Sequence, residues 1–70
     1  MTLEEYRLQC RWSISHLARK AELDYGTVKK ALDGGSISRN TANKLALAIS
    51  EGLGKTVRIG DIEGLNVSIL

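Results

Sequence analysis

Residues 13 to 35, SISHLARKAELDYGTVKKALDGG, constrain the fold more than any other part of this 70-residue chain. Leu17, Ala18 and Ala21 fall at i, i+1 and i+4, which makes one apolar stripe on a helix. Val28, Ala31 and Leu32 fall at i, i+3 and i+4, the stripe of a second helix. Leu23 fills the short turn between them. Two helices joined this tightly cross steeply and at close range, and the small Ala18 stands where such a crossing needs room. With both stripes turned inward, Tyr25, Gly26, Lys29 and Lys30 remain on the outside of the second helix. They form a polar, basic face that nothing in the chain is placed to bury.

The flanking sequence supplies further helices. Thr2 is a cap for a first helix, with Glu4 and Glu5 in the opening turn where the helix dipole favours acids. Leu3, Tyr6 and Cys10 line its inner side. Ser13 caps the second helix, with Trp12 placed to staple back over its first turn. Asp24 caps the third, which stops at Gly34-Gly35 because glycine accepts the left-handed closing conformation. Ser38 caps a fourth, along which Ala42, Leu45, Ala46, Ile49 and Leu53 keep helical spacing as far as Gly54. The chain has no proline, repeat or linker to divide it, so it reads as one domain. At this length the core is near the lower limit for independent stability, which makes self-association an expectation.

Together these residues resemble the Cro/repressor (XRE-type) helix-turn-helix family. The match rests on Ser13, Leu17-Ala18, Leu23, Asp24, Thr27-Val28, Ala31 and Gly34. It extends upstream through Leu3, Tyr6, Arg7 and Trp12 and downstream through SISRNTANKLALAISEGLG, from about residue 3 to 65. The resemblance implies an all-α fold, a compact four- to five-helix lambda-repressor-like bundle with a short extended C-terminal tail. It implies a single domain over 1–70 with its helix-turn-helix core at 13–35. It also implies a small Cro-like regulator of the kind found in phages, plasmids and mobile elements, a repressor that binds an inverted-repeat operator in double-stranded DNA as a homodimer. Three positions depart from the family pattern. Glu22 stands where glycine is usual, so a left-handed non-glycine residue, costing about 1 kcal/mol, is expected there. Ile14 replaces a phosphate-binding glutamine. Leu32 replaces the acid that commonly pairs with the first-helix arginine, which leaves Asp33 as the substitute partner for Arg7.

Charge distribution agrees with a polyanionic partner. The net charge is only +2, but residues 11 to 44 carry +4 and the segments on either side −1 each. Positive charge is therefore concentrated on the two-helix unit and the start of the next helix. On this reading Tyr25, Gly26, Lys29 and Lys30 are the base-contacting residues, since a recognition helix presents its outer side to base edges. Ser15, His16, Thr27, Arg39, Asn40, Thr41 and Lys44 are the phosphate-contacting ones. Those at the start of helix four combine side-chain donors with free backbone N–H groups. For Thr27 the sequence leaves phosphate contact and local capping equally open. Cys10 reads as a small core residue, and Arg7 as structural.

Other functions find little support. One His and one Cys, both placed for structural roles, offer no nucleophile–base pair and no ordinary zinc site, so neither catalysis nor a metal or other cofactor is expected. Gly52-Leu53-Gly54-Lys55-Thr56 follows a helix, not a strand, and lacks the spacing of a phosphate loop. Three aromatic residues are too few for a stacking platform on single strands. No apolar run reaches membrane-spanning length and no leader is evident. A cytoplasmic protein with no membrane partner and no small-molecule ligand is the expectation.

Beyond Gly54 the pattern changes. Val57 and Ile59, and later Val67 and Ile69, alternate with polar residues as two short extended segments would. Between them Asp61 is placed to cap one helical turn running to Leu65. Two compatible roles stand open. Val57, Ile59, Ile62 and Leu65 fold back over the bundle, and Val67, Ile69 and Leu70 form an apolar edge that pairs with a second copy. An antitoxin-like protein-interaction module and a lac-repressor-type headpiece are the alternative readings. The helix ahead of Ser13 argues against the latter.

Overall fold

Each helix begins at a side chain that can satisfy its own exposed amides. In the computed structural model, which describes residues 1–68, four α-helices follow in order: α1 (Leu3–Cys10), α2 (Ile14–Lys20), α3 (Tyr25–Leu32) and α4 (Arg39–Leu53). Thr2, Ser13, Asp24 and Ser38 have extended backbones, and each side chain accepts the N–H three residues on, from Glu5, His16, Thr27 and Thr41. At Thr2 the bond is reciprocated, because its own N–H donates to Glu5 Oε1 at 2.8 Å. Every start is thus coded within one turn of sequence.

The first three helices close in a common way. After α2, the Leu23 N–H donates to Ala18 O at 2.8 Å and the Glu22 N–H to Arg19 O at 3.2 Å. After α3, the Gly35 N–H reaches Lys30 O at 2.8 Å and the Gly34 N–H reaches Ala31 O at 3.2 Å. Both are Schellman closures, which need a left-handed residue. Gly34 (φ 85°) accepts that conformation freely, whereas Glu22 (φ 57°) adopts it as a non-glycine residue, as expected. Arg11 (φ 58°) does the same after α1. The left-handed region costs a residue with a Cβ about 1–2 kcal/mol. These closures cap the carbonyls and turn the chain within three residues, so α2 and α3 can pack directly.

That packing buries most of the stripes read from sequence, with Cys10, Leu32 and Leu53 only partly buried at its margin. Leu17 from α2, Val28 from α3, and Leu45 and Ile49 from α4 are wholly inaccessible to solvent. Ala18, Ala31, Ala42, Ala46 and Ala48 fill the spaces around them, and Leu3 and Tyr6 bring α1 onto the same core. Each fully buried Val, Leu or Ile side chain is worth about 1.5–3 kcal/mol. Arg7 lies on the flank of α1, where it donates to Trp12 O at 2.7 Å and pairs with Glu4. The expected Arg7–Asp33 pair is therefore corrected. Glu4 lies one turn away on the same helix and holds Arg7, while Asp33 pairs with Lys29.

Residues 57–68 wrap back over the bundle. Val57 and Ile62 are buried, and Ile59, Leu65 and Val67 pack partly buried against the core. The expected helical turn from Asp61 to Leu65 does not form. A single 3-10 turn precedes it at Ile59–Asp61, and the Asp61 carboxylate accepts the Arg58 N–H at 3.0 Å. The Glu63 N–H is taken instead by Met1 O at 2.9 Å, and Gly64 turns left-handed at φ 75°. Nor do extended segments assemble into strands among the described residues. They form two isolated parallel bridges, Thr2 with Glu63 and Ile37 with Val67.

Ser50, in the last turn of α4, latches this wrap. Its hydroxyl oxygen accepts the Val57 N–H at 2.8 Å and lies 2.8 Å from Ala46 O and 3.1 Å from Val57 O. Replacing Ser50 by Ala leaves a partly buried amide and carbonyl without this partner, at a cost of about 1–2 kcal/mol. Urea unfolding of Ser50→Ala is expected to show that loss, with the Val57 amide exchanging faster. Unchanged exchange at Val57 would remove Ser50 from this role.

Candidate nucleic-acid interface

The inward face of α3 is sealed by Val28 and Ala31, which leaves the opposite face to solvent. Tyr25, Gly26, Lys29 and Lys30 are all exposed there, Tyr25 at 51% despite its size. They form a continuous stripe over two turns, as side chains three and four apart share a helix face. Asp33 continues the stripe. Lys29 Nζ lies 3.3 Å from Asp33 Oδ2 and 3.4 Å from Oδ1.

Two glycines shape this surface. A Cβ on Gly26 would come 3.2 Å from Asp24 Oδ2, so a side chain there would crowd the carboxylate that caps α3. A Cβ on Gly35 would come 2.5 Å from Lys30 Cγ and 3.1 Å from Lys30 O. The bare backbone at Gly35 is what lets the Lys30 stem lie over the end of its own helix.

The Asp24 cap is the most strongly organised polar feature of the site. Its Oδ1 accepts the Thr27 hydroxyl at 2.5 Å and its Oδ2 accepts the Thr27 N–H at 3.1 Å. The Thr27 hydroxyl bond first, and the amide bond second, hold the Asp24 carboxyl below the usual aspartate range. Of the two roles open to Thr27, the local cap is the one its hydroxyl proton occupies. Glu5 is lowered likewise by the Thr2 amide, and burial raises the Cys10 thiol.

The predicted phosphate-contacting residues fall in two groups. Arg39 and Asn40, exposed in the first turn of α4, leave their backbone amides without a hydrogen-bond partner among the described residues. Thr41 is tied to the cap, its N–H donating to Ser38 Oγ at 3.1 Å and its hydroxyl oxygen accepting from the Ser38 hydroxyl at 2.9 Å, and Lys44 is half-buried one turn later. On α2, Ser15 is exposed and His16 stacks on Trp12, ring centroids 5.1 Å apart and planes 18° from parallel. Trp12 thus covers the first turn of α2 through His16. Arg19 and Lys20 border the same open hollow as His16, which extends the basic surface beyond the residues singled out from sequence.

The loop between α3 and α4 sets how these groups lie relative to the α3 stripe. It is held from the other end of the chain: the Ile37 N–H donates to Asn66 O at 2.9 Å, and the Ser68 N–H to Ile37 O at 2.7 Å. Asn66 Nδ2 also reaches Gly34 O at 3.4 Å. Sequence reading missed Asn66 because nothing local marks a partner some thirty residues away. Val67, expected at a dimer edge, is half-buried and bridges Ile37 of its own chain. Ile69 and Leu70, its companions in that expectation, lie outside the described residues. Among the described residues no cluster of His, Cys, Asp or Glu is arranged for a metal, and no helix is long and apolar enough to cross a membrane.

Because the Asp24 carboxyl is lowered on folding, its contribution to stability is present above the ordinary aspartate value and lost as pH falls through the folded value. Asp24→Ala is expected to unfold more easily than the parent at neutral pH, with the gap closing on acidification through that range. Thermal melts of both proteins across the acid range test this, and a gap independent of pH would dismiss the charged cap as its source.

Comparison of the chain with protein-family models, with curated proteins and with solved structures gave no match.

Proposed function

We propose that this chain is a sequence-specific binder of double-stranded DNA, acting as a small homodimeric repressor on an inverted-repeat operator. The observation that carries the reading is the α3 stripe. Tyr25, Gly26, Lys29 and Lys30 all face solvent on a short helix whose other side is fully packed. A major groove about 12 Å wide admits one α-helix, and its guanine N7 and O6 atoms accept from lysine. Lys29 and Lys30 are the donors, Tyr25 offers its ring to a thymine methyl or its hydroxyl to a phosphate, and Gly26 keeps the entering turn slim.

Holding and reading are divided between helices. The free amides and side chains of Arg39 and Asn40 at the start of α4 suit a phosphate, because the positive end of the helix dipole adds to the side-chain charge. Ser15, His16 and Lys44 extend that grip. Such contacts orient the protein on the duplex without distinguishing sequences. The concentration of charge, +4 over residues 11 to 44, lies on the segment that carries both groups. A two-fold homodimer makes the operator an inverted repeat with half-sites about one helical turn apart.

The division of labour is testable. Lys29→Ala is expected to reduce preference for a selected duplex over random DNA by about tenfold, as a good base contact is worth roughly 1–3 kcal/mol. Arg39→Ala is expected to weaken binding to both duplexes alike and to lower the salt slope by about one. Titrations of both variants against both duplexes at several salt concentrations read these outcomes. Equal weakening of selected and random DNA by Lys29→Ala would show that α3 does not read sequence through that residue.

A further inference from the structure

The α3 stripe carries one group that a DNA-binding surface does not need for affinity. Asp33 is an exposed carboxylate at the C-terminal end of the stripe, and a bare negative charge there repels a polyanion. It is not bare. Lys29, one turn back on the same face, lies 3.3 Å from Asp33 Oδ2, with both side chains more than half exposed. The two form a cation–anion unit, a strong donor beside a strong acceptor, presented outward together.

A G·C pair offers the complementary arrangement in the major groove: guanine N7 and O6 accept, and the adjacent cytosine N4 amino group donates. O6 and N4 are hydrogen-bonded to each other, so they sit about 2.9 Å apart. The spacing of Lys29 Nζ from the Asp33 oxygens is close to that, so the protein unit matches the edge of the base pair in both polarity and spacing. Neither partner has to give up the other, since Nζ carries three protons and the carboxylate accepts at two oxygens.

We propose that Lys29 and Asp33 act together to read one G·C pair, with Lys29 donating to guanine and Asp33 accepting from the N4 amino group of the paired cytosine. Asp33 is then a specificity determinant, not a remnant of surface charge. Within the pair its charge is neutralised at a cognate site. At an A·T pair thymine O4, an acceptor, stands where the cytosine amino group would be, so Asp33 meets an acceptor there and binding is penalised. The inference rests on the DNA-binding reading above, and adds to it the identity of one base pair and a second protein group that recognises it.

The experiment uses the full chain and duplexes that it selects from a random pool, each position of the selected sequence then being changed in turn. The parent protein is expected to prefer G·C over A·T at one position of each half-site by about tenfold or more. Asp33→Ala is expected to lose that preference there and keep the others, while binding random duplex severalfold more tightly because Lys29 is released to phosphate. Asp33→Asn, whose amide oxygen still accepts, is expected to retain part of the preference. Lys29→Ala is expected to affect the same position, and the double variant to lose no more than either single one, the signature of groups that act as a unit. Circular dichroism confirms that each variant is folded. Two results would overturn the proposal: Asp33→Ala tightening all duplexes equally with its base preferences unchanged, or Asp33 and Lys29 controlling different positions. A parent protein that selects no sequence at all would remove the DNA-binding reading itself. That failure is distinguishable because it appears before any substitution is made.

Discussion

Four side chains with no access to solvent, Leu17, Val28, Leu45 and Ile49, set the geometry on which everything else depends. One comes from α2, one from α3 and two from α4. No helix of seven or eight residues is stable alone in water, so the short helices exist because this core holds them. The core also decides which side of each helix is left over. Packing Val28 inward turns Tyr25, Lys29 and Lys30 outward, and no rotation of α3 could expose a different stripe without uncovering Val28. The proposed recognition surface is in this sense the complement of the core. A volume change at Leu17 or Val28 would disturb the pose of α3 as well as its stability, since close-packed interiors transmit strain.

The ends of the helices show a second constraint at work. Starting a helix is inexpensive here, because Thr2, Ser13, Asp24 and Ser38 each satisfy an amide with a neighbouring side chain. Stopping it requires a left-handed residue, and at Arg11 and Glu22 the chain accepts that conformation without glycine. The gain lies in compactness. A Schellman turn lets Leu23 tuck against the core directly after Glu22, which brings Asp24 into position to begin α3. Strain of about 1–2 kcal/mol at one residue is offset by immediate packing of the next helix.

What could be read from sequence divides along the same line between local and distant. Caps, inward stripes and the left-handed Glu22 were legible because each depends on residues within about one or two turns. The α3 stripe was legible by subtraction. Ser50 was not, because a serine inside the last turn of a helix carries no mark of the Val57 backbone that it holds. Asn66 gave no sign of Ile37 for the same reason. Asp61 misled because an aspartate can cap a helix ahead of it or accept an amide behind it, and the Arg58 N–H decides between them. Asp33 was assigned to Arg7 by likeness to a family pattern. The simpler rule of side chains four apart on one helix names Lys29.

The wrap of residues 57–68 has a consequence for time as well as for structure. Contacts between α2 and α3 join neighbours in sequence, whereas the bridges Thr2–Glu63 and Ile37–Val67 close loops of many residues. Long loops are costly in entropy to close, which favours assembly of the local α2–α3 unit ahead of these bridges. Interactions made after the barrier scarcely affect how fast a chain folds; they govern how long it stays folded. Formed late in this way, the hydrogen bonds to Ile37 would act as a kinetic clasp on the α3–α4 loop, governing how long the groups on α3 and α4 face outward as one surface.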